Sequence, residues 1–324
     1  MEGMLCVNYA VLPDAGEDSF ALRKNGPDAW LCVADGCGGL GARRYEALDG
    51  RTGAYLAARL ATGAFDSWAQ ACWRMPHTPD DGQAVAAELS THLHGVLAAF
   101  AHEHCSSTTR IVGSMQRSLP TTFCAAFTAP VSQGTDVCFV WAGDSRGYVL
   151  DEHGLHQYTQ DHLRGTPDPF ESLYRDVPLG RLLCADHPAP LDLRRTQISA
   201  PCVVITATDG AYGCLRTPME FEMLLLTTLM TAISYESWQK KLTTALKKLA
   251  NDDATLLMQP CGFADFEQLK QRLLPRREVL QKSCITPVRR RKGDIAFARD
   301  KWRMYRDGYD RTQGGQHERP DWRI

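Results

Sequence analysis

Short apolar segments alternate with longer amphipathic segments along this chain. Several short segments are rich in Val, Phe and Thr and stop at Gly, Asp or Asn, which is the pattern of β-strands. These predicted strands lie at residues 29–35, 121–128, 136–143, 147–154 and 201–210. Because only three residues separate the third strand from the fourth, we expect the two to form a hairpin, which the residues up to 159 extend into a meander.

Helical spacing occupies the stretches between the predicted strands. Apolar residues recur at intervals of three and four over 42–73, 81–104, 217–230, 235–250 and 263–274. Gly50 and Gly53 weaken the middle of the first of these helices. Thr217, Pro218 and Glu220 give the third one an N-cap, a first-turn proline and a capping-box acid. Since the helices are grouped between blocks of consecutive strands, the pattern favours an α+β fold over an alternating parallel sheet.

The composition is that of a globular protein. The chain has 324 residues, of which 44% are hydrophobic and 23% charged, which is enough to bury a large core. Its 12 cysteines include no CxxC pair, and several stand among β-branched and aromatic residues, where cysteine acts as a small hydrophobe. The first residues carry no basic segment, and no apolar run approaches the roughly 18 residues of a membrane-spanning helix. We therefore expect a reduced, cytoplasmic protein without a membrane partner.

Charge is distributed unevenly, although the formal net charge is only -2. Residues from 262 onward contain 16 Lys and Arg against 9 Asp and Glu, whereas the preceding part contains 20 against 29. The change in character near residue 260 predicts two units, a domain over 1–260 and a basic, aromatic-containing C-terminal extension over 261–324.

Two features of the extension are suited to binding. The run Arg289–Lys292 fits nucleic acid, an acidic partner or the acidic body of the same chain. We favour the last and do not expect nucleic acid, since no recognition fold accompanies the run. Trp302, Tyr305 and Tyr309 lie three and four residues apart, so that one helical face can anchor the extension. An extension docked over a catalytic cleft would inhibit, whereas one docked elsewhere would be structural, and the sequence leaves both open.

Four acidic motifs stand where predicted strands end. They are GED at 16–18, ADGCGG at 34–39, TDG at 208–210 and NDD at 251–253. A single Asp-Gly pair is usually only a turn, but carboxylates brought together from several strands supply the hard oxygen ligands that Mg²⁺ or Mn²⁺ requires. Such a cluster can hold two ions about 4 Å apart, which activates a water for in-line displacement at phosphorus.

The same motifs, in the same order, resemble those of the metal-dependent protein phosphatases of the type-2C class, which dephosphorylate serine and threonine. Residues 34–41 (ADGCGGLG) are similar to the family's DGxGG turn, and residues 141–162 to its GDSR…TxDH segment, the most specific of the matches. Further matches are PLGRLL at 178–183, TATDGAYGCL at 206–215 and NDDATLL at 251–257. Together the matches span about four-fifths of the chain.

The resemblance implies a sandwich of two antiparallel β-sheets flanked by helix pairs. It also implies two Mg²⁺ or Mn²⁺ ions and a metal-activated water that attacks phosphorus without a phosphoenzyme. Carried over residue by residue, it assigns Asp35 and Asp209 as catalytic, with Asp35 bridging both ions beside the Gly36 carbonyl. The remaining ligands would be Asp209 and Asp252 for one ion, Asp18 and, through water, Glu17 for the other, and Asp144 for a third, weaker ion.

Three positions depart from the family pattern. Pro13 stands where the family has an arginine that grips the substrate phosphate, and the loss of a bidentate arginine contact weakens phosphate binding. Arg43 and Arg44, just after the glycine turn, are candidates to replace it, unless they only solvate the start of a helix. Cys37 replaces a histidine proposed as general acid, and Gly213 replaces an aspartate of the third ion site, which is therefore left open.

Two functions are consistent with these residues. The first is hydrolysis of phosphoserine and phosphothreonine in proteins, with a phosphoprotein as substrate and a cognate serine/threonine kinase as partner. The alternative is a phosphatase fold that serves as a binding or regulatory module with little or no catalysis, which the missing arginine favours. The intact Asp18, Asp35, Asp209 and Asp252 favour the enzyme. Clustered like charges cost stability without a cation, so a chain that had lost metal binding would lose them first.

Overall fold

The computed structural model describes residues 3–104, 117–165, 168–175 and 177–311. In this part of the chain the strands are β1 Leu5–Tyr9, β2 Asp18–Asn25, β3 Asp28–Asp35, β4 Arg44–Tyr45, β5 Arg51–Thr52, β6 Phe123–Val131, β7 Gly134–Ala142, β8 Arg146–Asp151, β9 Gly154–Gln157, β10 Asp192–Ile198, β11 Cys202–Ala207 and β12 Ala254–Cys261. The helices are α1 Gly53–Cys72, α2 Pro79–His104, α3 Asp209–Tyr212, α4 Pro218–Thr231, α5 Tyr235–Leu249, α6 Phe266–Leu280, α7 Thr286–Arg290 and α8 Ile295–Tyr309.

Two five-stranded antiparallel sheets form the centre of the molecule. The first has the strand order β1-β12-β11-β8-β9 and the second the order β10-β7-β6-β3-β2. Their facing sides bury one apolar layer, to which Val33, Phe139 and Leu257 belong. Helices α1 and α2 cover the outer side of the second sheet, and α4, α5, α6 and α8 cover that of the first. The predicted α+β sandwich flanked by helices is confirmed.

The predicted hairpin over 136–154 does not form. β7 pairs with β6 and β10 in the second sheet, whereas β8 pairs with β9 and β11 in the first. The intervening turn carries the chain from one sheet to the other, and Gly143 in it has a φ of 100° and packs against Thr122. Both strands are buried along nearly their whole length, so their apolar runs lack the alternation that would reveal which sheet each one joins. The predicted meander is present only as the hairpin of β8 with β9.

The first predicted helix is shorter than expected. Residues 44–52 form a small two-stranded ribbon, β4 with β5, whose turn contains Gly50 at a φ of 65°, which a right-handed helix does not include. Helix α1 begins only at Gly53. Thr52 caps it by accepting a hydrogen bond from the Tyr55 backbone N–H at 3.1 Å. The other four predicted helices are present as α2, α4, α5 and α6.

Among the described helices, α2 alone is long and apolar enough to cross a membrane by length and composition. Val85, Leu89, Leu93 and Leu97 on one side of it are buried in the apolar layer outside the second sheet. This buried side packs on the sheet, and a third of the most apolar stretch of the helix is buried in this way.

The C-terminal extension packs against the body of the molecule. Leu269 of α6 and Trp302 and Tyr309 of α8 belong to the same apolar cluster as the outer side of the first sheet. The run Arg289–Lys292 is exposed at the end of α7 and makes no ion pair with a described carboxylate. Apolar packing, rather than this run, joins the extension to the body. The last residues, 312–324, lie outside the described residues, and the unit boundary at residue 260 stays a prediction.

Candidate metal centre

Carboxylates from both sheets meet at one end of the sandwich. Asp18 begins β2 and Asp35 ends β3, and the two residues are direct partners across this antiparallel pair. From the first sheet, Asp209 follows β11 and begins α3, and Asp252 lies just before β12. Asp144 stands in the turn that crosses between the sheets. Asp18 is buried, and the other four line one cleft, so the structure brings the predicted ligands together.

Desolvation and mutual repulsion raise the pKa values of four of these carboxyl groups, those of Asp18, Asp35, Asp144 and Asp209. Burial raises the pKa of Asp18 to about 7 and that of Asp144 to about 8, and the negative charge of Asp209 adds to both rises. Desolvation, followed by the charge of Asp209, raises the pKa of Asp35 well above the usual range. The pKa of Asp209 is itself raised by desolvation, although Arg146 and a hydrogen bond with Asp35 oppose the rise. Negative charge is therefore poorly compensated at this end of the sandwich.

Asp18 indicates that the centre fits a divalent cation. Its Oδ2 accepts a hydrogen bond from the Thr208 hydroxyl at 2.8 Å, but its buried Oδ1 has no partner among the described residues. A buried carboxylate oxygen without a partner is costly, and a bound cation would satisfy it. The surrounding donors are carboxylate oxygens, the type that Mg²⁺ and Mn²⁺ prefer.

The donors do not form a ready-made coordination shell. Among the described residues, no three His, Cys, Asp or Glu side chains are arranged as a set that could hold a metal ion. The centre therefore has suitable donor chemistry, while side-chain rearrangement would be needed to close a shell around an ion.

The glycine turn after β3 lies against Glu17, the ligand predicted to act through water. A Cβ atom at Gly38 would lie 2.3 Å from Glu17 Oε2, and one at Gly36 would lie 2.3 Å from the Ala54 carbonyl oxygen. The position of Gly36 therefore requires glycine because a Cβ would collide with backbone, whereas a Cβ at Gly38 would displace only the end of the Glu17 side chain. Glu17 Oε1 accepts a hydrogen bond from the Thr52 hydroxyl, and burial raises the pKa of its carboxyl group.

Asp253 has a role that the sequence did not assign. Its two carboxylate oxygens accept hydrogen bonds from the backbone N–H groups of Val11 and Glu17, at 2.8 and 2.7 Å. It thereby fastens the N-terminal loop and Glu17 to the start of β12. The NDD motif was the only sequence signal, and it does not distinguish Asp253 from Asp252.

A cleft of about 1090 Å³ opens over the carboxylates. Its walls are the glycine turn and two apolar, proline-containing stretches at 177–182 and 187–190. The arginines that line it, within the described part of the chain, are Arg117, Arg164 and Arg181. Arg181 is committed to an ion pair with Asp192 at 2.6 Å. Arg117 and Arg164 are exposed and pair with no carboxylate of the described residues.

Arg43 and Arg44, the predicted phosphate ligands, do not line this cleft. Arg43 lies over the Tyr45 ring, 5.3 Å from its centre, and Arg44 donates a hydrogen bond to the Gly50 carbonyl at 2.9 Å. The sequence suggested a helix start here, whereas the ribbon of β4 and β5 directs both side chains to its own residues.

The other departures from the family pattern also bear on the site. Burial raises the pKa of Cys37 well above that of a free thiol, so the thiol stays neutral and cannot replace histidine as a proton donor near neutral pH. Gly213 and Arg146 line a smaller pocket together with Asp144 and Asp209. The pocket lacks the family's further aspartate, because Gly213 stands at that position, so the third ion at Asp144 stays a prediction.

No family model matches the sequence, and no curated protein matches it. Solved structures do match the fold. The serine/threonine phosphatase Stp1 from Staphylococcus aureus aligns at 17% identity and a TM-score of 0.61, over 81% of this chain and 96% of that one. The serine/threonine phosphatase of S. agalactiae aligns at 16% identity and a TM-score of 0.53, over 79% and 98% of the two chains.

A third similar structure was solved with metal. The catalytic domain of the serine/threonine protein phosphatase PstP, in complex with two manganese ions, aligns at 15% identity and a TM-score of 0.53, over 80% of this chain and 98% of that one. The chain thus has the fold of the bacterial type-2C serine/threonine phosphatases, as the motifs predicted. At these identities the likeness shows the fold alone.

Proposed function

We propose that this protein is a metal-dependent phosphatase that hydrolyses phosphoserine and phosphothreonine in proteins. The observation that carries the proposal is the convergence of carboxylates from both sheets beneath one cleft, with the buried Asp18 Oδ1 lacking a partner among the described residues. The fold shared with serine/threonine phosphatases, one of them solved with two manganese ions, supports it.

Two Mg²⁺ or Mn²⁺ ions would be held by the four central carboxylates, with the Gly36 carbonyl and Glu17 beside them. Those carboxylates are Asp18, Asp35, Asp209 and Asp252. When bound, the ions supply an activated water and neutralise charge on the phosphoryl group that is transferred. Asp35 and Asp209 are the proposed catalytic residues, as the resemblance implies. The charge of Asp209 raises the pKa of Asp18, Asp35 and Asp144, which indicates that it lies close to all three.

Arg117 and Arg164 would bind the substrate phosphate in place of the arginine that Pro13 replaces. They lie in the same cleft as the carboxylates and keep their guanidinium donors free of described carboxylates. Guanidinium groups bind phosphate oxygens through paired N–H donors. The apolar walls of the cleft would contact the polypeptide that carries the phosphate, which suits a protein substrate.

The setting proposed for this reaction is the cytoplasm, with a cognate serine/threonine kinase supplying the phosphoprotein. All described cysteines are free thiols, as a reducing compartment would require. A kinase partner follows from the chemistry alone, because a phosphoserine substrate must be made before it can be hydrolysed.

A second candidate is a binding module on the same fold. It is favoured by the lack of a ready ligand set among the described side chains and by Pro13. Turnover distinguishes the two, because a binding module hydrolyses neither substrate whether or not the carboxylate cluster binds a cation.

Hydrolysis of p-nitrophenyl phosphate and of a phosphothreonine peptide, each with Mn²⁺, Mg²⁺ or EDTA, tests the proposal. We expect turnover that requires a metal and is lost in Asp209→Asn. Asp209→Asn, purified in the same way, controls for a contaminating phosphatase. Asp307→Asn, the same substitution at an exposed position of α8, should keep full activity. Mn²⁺ binding by calorimetry without turnover of either substrate would instead support the binding module.

A further inference from the structure

Helix α8 contacts the segment that borders the candidate centre, residues 168–175, which we call the flap. Trp302 Nε1 donates a hydrogen bond to Asp168 Oδ1 at 2.7 Å, and Arg306 pairs with Asp168 Oδ2 at 2.9 Å. The same Asp168 Oδ1 accepts the Phe170 backbone N–H at 2.8 Å. One carboxylate therefore joins the backbone of the flap to two side chains of α8.

Ring packing and a second ion pair reinforce this joint. The buried Phe170 stacks on Trp302, with ring centres 6.4 Å apart and an angle of 20° between the planes. Arg299 donates to Glu171 Oε1 at 2.8 Å. Helix α8 therefore contacts the flap at two successive residues, Phe170 and Glu171. Three residues of α8, spaced over two turns of one helical face, therefore bind the flap.

The flap in turn lies beside the carboxylate cluster. Ser172, Leu173 and Arg175 line a pocket that also contains Asp144, Asp209 and Asp252. Arg146 links the two sides, because its Nη2 donates to Ser172 Oγ at 3.2 Å and its side chain lines the same pocket as Asp144.

A second chain of contacts runs from the end of α8 to Arg146. The Tyr309 hydroxyl donates to Gln157 Oε1 at 2.9 Å, and Gln157 Nε2 donates to Asp161 Oδ1 at 3.2 Å. Asp161 accepts three hydrogen bonds from Arg146, at 2.9, 3.2 and 2.6 Å, in a buried ion pair. Arg146 is thus held from both ends of α8, through the flap and through Asp161.

We propose that α8 positions the flap beside the carboxylate cluster, with Trp302 as the positioning residue. This role for substrate binding rests on the proposed phosphatase function. Trp302, Tyr305 and Tyr309 are buried against the body, and no residue of α8 lines the cleft. The described part of the extension, up to residue 311, therefore supports the site from behind and does not line the cleft.

Hydrogen–deuterium exchange of the full chain tests the contact directly. Trp302→Phe keeps a ring against Phe170 but removes the N–H that binds Asp168. We expect exchange of the 168–175 backbone to rise about tenfold, the effect of losing one hydrogen bond to a charged group. Met304→Ala, an exposed position of the same helix, should leave flap exchange unchanged. Equal flap exchange in Trp302→Phe and the unaltered protein would overturn the proposal.

A second variant acts from the other side of the joint. Asp168→Asn keeps an acceptor for Trp302 but removes the charge that Arg306 binds, so backbone exchange of the flap should rise. This variant tests the contact independently if Trp302→Phe fails to fold. In kinetics, both variants should raise KM for a phosphothreonine peptide several-fold and leave p-nitrophenyl phosphate nearly unaffected, since the smaller substrate does not reach the flap. An equal loss on both substrates would indicate general damage and overturn the positioning role. Exchange needs no turnover, so it decides the role of α8 even if no phosphatase activity is found.

Discussion

At the scale of single residues, the candidate centre combines two unfavourable features that a bound cation would reverse. Asp18 carries a buried oxygen without a partner among the described residues, and the neighbouring carboxylates raise one another's pKa. Without a cation, the folded state must either keep protons on these groups or tolerate their repulsion. The protonation of these groups depends on pH, so the free energy of unfolding of the metal-free protein should depend on pH as well.

Without divalent ions, the free energy of unfolding should fall as the pH rises from about 5 to about 8. The folded-state pKa is about 7 for Asp18 and about 8 for Asp144, whereas an unfolded Asp has a pKa of 3.8. Between these values the folded state binds more protons than the unfolded state, so each rise in pH favours unfolding. The loss begins above the unfolded pKa and continues as the pH passes through the folded pKa of each group. Thermal unfolding in EDTA across this range measures the slope.

A matched pair of variants identifies the source of this pH dependence. Asp209→Asn removes a charge that raises the pKa of both groups, so it should flatten the slope and stabilise the metal-free protein at high pH. Asp307→Asn, at an exposed position, should leave the slope unchanged. Excess Mn²⁺ should remove the loss at high pH, because the cation binds the deprotonated carboxylates. A stability that stays constant with pH in EDTA would contradict this account of the cluster.

The arginines of the cleft give a second prediction at this scale. Arg117→Ala should raise KM for a phosphothreonine peptide about tenfold, since a charge-assisted contact to phosphate is lost. Arg43→Ala, in the ribbon outside the cleft, should leave KM unchanged, although the sequence alone made Arg43 a candidate. Steady-state kinetics at saturating Mn²⁺ separate the two. A larger effect of Arg43→Ala would instead indicate that Arg43, next to the glycine turn, binds the substrate phosphate.

At the scale of elements, the sequence predicts most strands and helices but not which sheet each strand joins. The pattern for β7 and β8 indicated two strands correctly, yet their nearly continuous burial hid the crossing between sheets. Local sequence signals correctly predicted the N-terminus of helix α4. Thr217 Oγ1 accepts the Glu220 backbone N–H, as an N-cap should. Glu220 Oε2 accepts the backbone N–H of Arg216 and not that of Thr217, a shift of one residue that propensities do not encode.

The same limit applies to the candidate site. The acidic motifs at strand ends predicted which carboxylates converge, because Asp is disfavoured inside strands and the motif order matched a known family. The cleft arginines could not be predicted, since Arg117 and Arg164 belong to no motif and reach the cleft only through tertiary packing. Arg43 and Arg44 were close in sequence to the glycine turn, but the unpredicted ribbon directs them elsewhere.

A buried ion pair joins three helices and gives a prediction at this scale. Glu222 of α4 is fully buried, accepts two hydrogen bonds from Arg276 of α6 and accepts the hydroxyl of Tyr305 of α8. Arg276→Met should cost about 3 kcal/mol of unfolding free energy, because it leaves a buried carboxylate without its cation. Denaturant unfolding measures the loss.

Two further variants control for this prediction. Arg272→Met, on the same helix, removes an exposed pair with Glu152 at 3.4 Å and should cost less than about 1 kcal/mol. Adding Glu222→Gln to Arg276→Met should recover part of the loss, because the side chain left behind is neutral. No recovery would show that lost packing by the arginine, and not its charge, explains the cost.

At the scale of the whole molecule, the extension and the body share one apolar cluster. The outer side of the first sheet contributes Tyr148 and Leu150, α4 contributes Phe221, and α8 contributes Trp302 and Tyr309. A boundary drawn from charge and composition therefore does not coincide with a break in packing. The opposite net charges of the two parts act together with this apolar contact, although the most basic run of the extension stays exposed.

Truncation after Pro260 should therefore yield an unstable, aggregating protein. It would expose the aromatic side chains of α4 and the first sheet that α6 and α8 now cover, and it would leave Glu222 buried without Arg276. Truncation after Arg311 is the matched control, since it keeps every contact of the described extension, and this shorter chain should unfold at nearly the same temperature as the full chain. Size-exclusion chromatography and thermal unfolding of both chains measure the difference. A soluble, monomeric 1–260 chain with full Mn²⁺ binding would instead make the extension a separable regulatory segment, as its charge alone suggested.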